Sequence, residues 1–187
     1  MLRTKREWRT ALLRARRELT GTELGRAGLG LAEVALAAEP IRSARCVALY
    51  LSMPPEPATS ALLEALTDRR VLLPVLHDDD DLGWGEPSSG LEPARLGLTQ
   101  PVTDLGVDEI RRVDVVICPA LAVDLTGVRL GRGGGSYDRA LARVDAPVIA
   151  AVYDDEVVEA LPADPHDRRV DYALTPTRLV PLRASPA

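Results

Sequence analysis

Residues 113–118 read Val-Asp-Val-Val-Ile-Cys, and a short connection leads from them to 127–139, Gly-Val-Arg-Leu-Gly-Arg-Gly-Gly-Gly-Ser-Tyr-Asp-Arg. The first run is almost wholly apolar, as a central parallel strand covered on both faces requires. In the second, Gly131, Gly133, Gly134 and Gly135 leave a backbone without Cβ atoms, whose N–H groups can close around a tetrahedral anion. Arg129 and Arg132 bracket the glycines with planar, permanently charged forks suited to phosphate. A helix over 136–143 is predicted to follow, its N-terminus adding a dipole and free N–H donors. Asp138 falls in the first turn, in position to hold the magnesium that accompanies a nucleotide. The segment reads as a phosphate-binding loop of no standard type. A Walker A loop needs a lysine, and a dinucleotide fingerprint needs glycine where Ser136 stands. A glycine-rich surface turn capping a helix stays open as the alternative.

Working outward, apolar strand-like runs recur at 47–52, 71–76 and 148–153, with a shorter one at 171–175. Thr4-Lys5-Arg6-Glu7 is a capping box. The helix it opens should run to about residue 19, with Trp8, Leu12, Ala15 and Leu19 on its apolar face. Lys5 and Arg9 lie four apart on a neighbouring strip, where an anion or plain solvent would offset their mutual repulsion. Further helices are predicted over 23–38, ending before Pro40, and over 59–69. Residues 77–104 read as loop-rich, with the four aspartates of 78–81 in a solvated turn, a short strand starting near Trp84, and irregular chain over 91–101. Strands alternating with helices predict a three-layer α/β domain over 1–187, with a largely parallel central sheet flanked by helices. Ligands in such folds gather beyond the carboxyl ends of the strands. The loop carrying Glu56, the glycine loop and the Asp171 region are all expected there.

Composition narrows the function classes. The chain has 187 residues, 46% of them hydrophobic, no phenylalanine and a net charge of −5. That charge argues against a general nucleic-acid binder. No apolar run suits a membrane span, and the charged N-terminus lacks a signal-peptide core, so a cytoplasmic protein is expected. Cys46 and Cys118 lie in apolar runs and read as small buried hydrophobes. Two histidines supply neither a zinc cluster nor a serine–histidine–aspartate arrangement with any force. Lys5 is the only lysine.

Taken in order, these residues resemble the 5-formyltetrahydrofolate cyclo-ligase family. The resemblance starts with Lys5-x-x-x-Arg9 and continues through Leu51-Ser52-Met53, Glu56 and Gly97-Leu98-Thr99-Gln100-Pro101. It is strongest at 119–124 with 127–133 and at Tyr137-Asp138-Arg139, and ends at His166-Asp167 and Val170-Asp171. The resemblance implies an ATP- and magnesium-dependent closure of 5-formyltetrahydrofolate, with or without a polyglutamate tail, to 5,10-methenyltetrahydrofolate. It assigns Lys5 and Arg9 to the nucleotide. Arg129, Leu130, Gly131, Arg132, Gly133, Gly134, Gly135, Ser136 and Tyr137 would wrap the phosphates. Arg132, with Lys5, would serve the transferring phosphoryl group; Met53, Glu56 and Tyr137 would face the pterin; Asp138 and Asp171 would support magnesium. No nucleic-acid or membrane partner is implied, and a monomer is expected. Many members carry lysine and a further tyrosine where this chain has Gly134 and Ser136. A non-catalytic folate- or nucleotide-binding homologue and an unrelated small-molecule kinase are the competing readings.

Overall fold

A computed structural model describes residues 3–164 and 167–182. Helix α1 (Lys5–Arg17) begins at a complete capping box, Thr4 and Glu7 each bonding the other's backbone N–H. Thr20 and Glu23 repeat the device at α2 (Gly21–Ala37), which runs into the single turn α3 (Glu39–Arg42). The chain then enters β1 (Cys46–Ala48), α4 (Ser60–Ala65), β2 (Arg70–Leu76) and β3 (Leu82–Gly85). Strands β4 (Leu91–Pro93) and β5 (Thr99–Pro101) form a separate hairpin, where irregular chain was expected. After β6 (Val115–Pro119) come β7 (Ala122–Asp124), β8 (Arg129–Leu130) and α5 (Ser136–Leu141). Strands β9 (Val148–Ala151), β10 (Val157–Val158), β11 (Tyr172–Leu174) and β12 (Leu179–Pro181) complete the described elements.

The main sheet has the order β12-β11-β9-β6-β1-β2-β3. Its five inner strands are parallel, and antiparallel β12 and β3 close the two edges. Strand β6 sits at the middle of the order, as its apolar run predicts. Its side chains alternate between two cores. Val115 and Ile117 face α2 and α4, while Val116 and Cys118 face α5, Trp84 and the short helical turn at Ile110. This is the expected three-layer α/β arrangement. Both cysteines are free and buried, and burial pushes the Cys118 thiol up to about 11. Among the described residues, no helix is long and apolar enough to cross a membrane.

A three-stranded sheet, β10-β7-β8, carries α1 on one side. The packed face of α1 is Trp8, Leu12 and Leu13 rather than the stripe through Ala15 and Leu19. Ala15 is exposed, and the one fully buried residue of the helix is Arg16. Arg16 donates to both Glu156 oxygens at 2.6 and 2.7 Å and to the Ala120 carbonyl at 2.7 Å. The predicted strands over 47–52 and 148–153 end early, at Ala48 and Ala151. Beyond β1, Ser52 exchanges hydrogen bonds with Thr59 instead of a neighbouring strand. The aspartate turn is only partly solvated: the Asp78 side chain is fully open, but Asp81 grips Arg143 and is 14% exposed.

Candidate active site

A cleft of about 1480 Å³ opens over the carboxyl ends of the parallel strands. Tyr50 and Leu51 follow β1, Leu76 ends β2, and Pro119 ends β6, so the sheet supplies the floor. Residues 129–139 form one wall, the Met53–Glu56 loop another, and the first turns of α1 a third.

The glycine loop is shaped by backbone that side chains would disfavour. Gly133 has φ +110° and Gly135, the residue capping α5, has φ +73°. A Cβ at Gly133 would also lie 3.4 Å from the guanidinium of Arg9. At Gly134 the situation is the reverse: φ is not positive, and a Cβ would meet nothing nearer than Ser136 Oγ at 3.7 Å. Helix α5 stops at Leu141, short of the predicted 143, and so brings less dipole to the loop than a longer helix would.

Arg129 differs from a free phosphate fork. Its side chain is 4% exposed and donates to Asp138 Oδ1 at 2.8 Å and to the Pro119 carbonyl at 3.3 Å. Its guanidinium stands 5.9 Å from the Tyr137 ring centre. The Tyr137 hydroxyl and Arg129 Nε are buried without a hydrogen-bond partner, and burial raises the Tyr137 pKa. Leu130 is buried beneath the loop.

Arg9 Nε donates to the Gly131 carbonyl at 2.9 Å, tying α1 to the loop. Lys5 is not a free ammonium: its Nζ lies 2.6 Å from one carboxylate oxygen each of Asp164 and Asp167. Partial burial opposes its charge, but these hydrogen bonds outweigh that and hold its pKa above the usual value. Across the cleft, Arg132 Nη2 reaches Glu56 Oε1 at 3.0 Å. The other Glu56 oxygen accepts from the Met53 N–H at 3.0 Å. Tyr50 and Tyr153 donate to the carbonyls of Pro57 and Pro55 on the same loop.

The structure therefore brings together Lys5, Arg9, Met53, Glu56, Arg132, the glycines, Ser136, Tyr137 and Asp138. It separates Asp171 from them. Asp171 precedes β11 instead of following it, so it lies at the amino ends of the parallel strands, where its carboxylate accepts from the Val148 N–H at 2.8 Å. The expected Asp138–Asp171 metal pair does not form, and among the described residues no three metal-ligating side chains cluster. His166 lies outside the described residues. Sequence reasoning passed over Asp164 as a partner of Lys5, because nothing local links residues 159 positions apart. It also passed over Arg16, whose signal was present: an arginine four residues after Leu12, in the line of the apolar stripe.

Comparison with known proteins adds an independent finding. The model of the 5-formyltetrahydrofolate cyclo-ligase family matches residues 2–176. A 5-formyltetrahydrofolate cyclo-ligase of Mycolicibacterium smegmatis is 42% identical over 97% of this chain and 98% of its own. That of Escherichia coli K12 is 34% identical over 88% of this chain and 96% of its own. Among solved structures, the 5,10-methenyltetrahydrofolate synthetase of Aquifex aeolicus superposes with a TM-score of 0.85 at 29% identity, covering 98% of this chain and 95% of that one.

Proposed function

The chain belongs to the 5-formyltetrahydrofolate cyclo-ligase family, and we propose that it closes 5-formyltetrahydrofolate to 5,10-methenyltetrahydrofolate with ATP, releasing ADP and phosphate. The observation that carries this reading is the Arg132–Glu56 ion pair. The glycine loop and the Glu56 loop meet across one cleft, so an anion held by the first lies against a heterocycle held by the second.

The formyl oxygen is a poor leaving group. In the proposed reaction it attacks the γ-phosphorus, ADP departs, and an N5-iminium phosphate forms. N10 then attacks the activated carbon and the ring closes. Phosphate leaves with the oxygen, and the N10 proton is lost. Such chemistry asks the protein for positioning and for charge placed where charge develops.

Glu56 supplies a carboxylate able to accept from the amino and ring N–H groups of a pterin, once Arg132 turns to phosphate. Met53 offers an apolar contact beside it. Lys5, Arg9, the loop N–H groups and the buried Tyr137 hydroxyl face the nucleotide side. Arg132 stabilises the phosphoryl group in transit. Magnesium would neutralise phosphate charge, and Asp138 beside the loop suits an ion held mainly by phosphate and water through a single protein carboxylate. We read the protein as a one-domain cytoplasmic monomer that takes the folate with or without a polyglutamate tail.

The test is a spectrophotometric assay of purified protein with 5-formyltetrahydrofolate, magnesium and ATP, since ring closure creates a conjugated chromophore. ATP-dependent product is expected. Binding of both ligands without product would replace the reading with a non-catalytic homologue.

A further inference from the structure

The loop proposed to hold phosphate has few side chains of its own, so its position must come from its two ends. Its entry is held by Arg9 on the Gly131 carbonyl and by Arg129 on Asp138. Its exit is α5, a helix of only six residues. Ala140 and Leu141 bury one face of that helix against the sheet, with Tyr137 packed beside them, and such apolar contact is non-directional.

The polar clamp on its far end comes from the β2–β3 turn. Arg143 Nη1 donates to Asp81 Oδ1 at 3.0 Å, and Nη2 donates to Oδ2, making a bidentate pair. Asp81 is fixed in turn by the Leu82 N–H at 2.9 Å and by the His77 N–H on its carbonyl at 3.0 Å. Arg139 adds a bond to the Asp80 carbonyl at 2.5 Å. The turn itself is braced by the antiparallel register Leu76↔Leu82 of the main sheet. Hydrogen bonds from Arg143 hold the Asp81 carboxyl below its usual range, as expected of a carboxylate committed to a partner. Two side chains that touch no expected ligand thus connect the glycine loop to the rigid sheet.

We propose that Asp81 and Arg143 are positioning residues for the glycine loop: through α5 they fix the loop in its anion-binding shape. The consequence for catalysis rests on the function proposed above, whereas the consequence for the loop does not. Planar bidentate geometry suits this task, because it resists rotation where a single hydrogen bond would not.

The experiment compares wild type with Asp81→Asn, Arg143→Gln, their double variant, and Arg143→Lys as the conservative replacement. Kinetics with ATP and 5-formyltetrahydrofolate are read beside thermal melting and hydrogen exchange of residues 131–139. In Asp81→Asn and Arg143→Gln, KM for ATP should rise about tenfold or more, with KM for the folate held and loop exchange faster. The double variant should be no worse than the poorer single one, since both remove the same contact. Arg143→Lys should recover part of the loss. Unchanged loop exchange in both single variants overturns the inference. So does an equal rise in both KM values with a matching fall in melting temperature, which is general loosening. A wild type that makes no product sinks the proposed function alone, and loop exchange in the variants then decides the positioning role.

Discussion

Two arginine–carboxylate pairs, one in the cleft and one buried behind the Ala120 that lines it, have nearly the same chemistry and opposite surroundings. Beneath the floor, Arg16 and Glu156 are 2% and 4% exposed, and Glu156 Oε2 also accepts from the Tyr153 N–H. At the mouth, Arg132 is 49% exposed and Glu56 10%. The deep pair has no spare geometry: the guanidinium also bonds Ala120 and stands 5.3 Å from the Tyr153 ring centre. The outer arginine has water on one side and can turn. A buried pair that loses one member leaves a stranded charge, whereas an exposed one contributes little to stability. Ion pairing near a site is therefore not one kind of evidence: depth separates what holds the cleft open from what the cleft can exchange for a ligand.

The largest effect expected is at the deep pair. Glu156→Ala should destabilise the fold by about 3–5 kcal/mol in denaturant unfolding. A loss below about 1 kcal/mol would erase the distinction between the two pairs. Arg132→Ala should do the opposite, lowering turnover on the order of a hundredfold while leaving stability within about 0.5 kcal/mol. A collapse of the melting temperature in that variant would make the outer pair structural. Lys5→Ala sharpens the contrast, because its ammonium is shared by two carboxylates and yet lies at the cleft. Loss of a charge-assisted contact should raise KM for ATP roughly tenfold to a hundredfold. Near-wild-type turnover at low ATP would remove α1 from the site.

The smallest effect is a pH signature at Asp81. Its folded pKa is depressed, so its pair contributes above the ordinary carboxylate pKa and is lost as pH falls through the lower folded value. Wild type should exceed Asp81→Asn by less than about 1 kcal/mol near neutral pH. The difference should shrink as the medium is acidified below about pH 4. A difference that grew on acidification would reverse the sign and deny the pair.

The same contrast explains what was legible beforehand. The middle of the sheet announced itself through apolar runs, because burial on both faces is a local property of each strand. The glycine loop was legible for a similar reason, since its four bare positions are neighbours in sequence. Asp171 was misplaced because Val170-Asp171 marks the start of a strand, and only topology tells which edge a strand's start occupies. Arg16–Glu156, Lys5–Asp164 and Asp81–Arg143 join segments 140, 159 and 62 residues apart, and no periodicity encodes such a partner. The β4–β5 hairpin escaped notice because each strand has three residues and carries a proline.

Gly134 separates charge from shape in the glycine loop. Its neighbours Gly133 and Gly135 have φ +110° and +73°, a backbone that tolerates little but glycine, but Gly134 has ordinary φ and open space around its missing side chain. A Cβ at 134 would meet only ordinary van der Waals contact, so a side chain can start there without a clash. The glycines on either side answer to backbone shape, whereas a side chain begun at 134 asks for no change of φ. Lysine installed at 134 would therefore change the charge of the loop while leaving the conformation that Gly133 and Gly135 impose, so the electrostatics proposed for the loop can be varied apart from its shape.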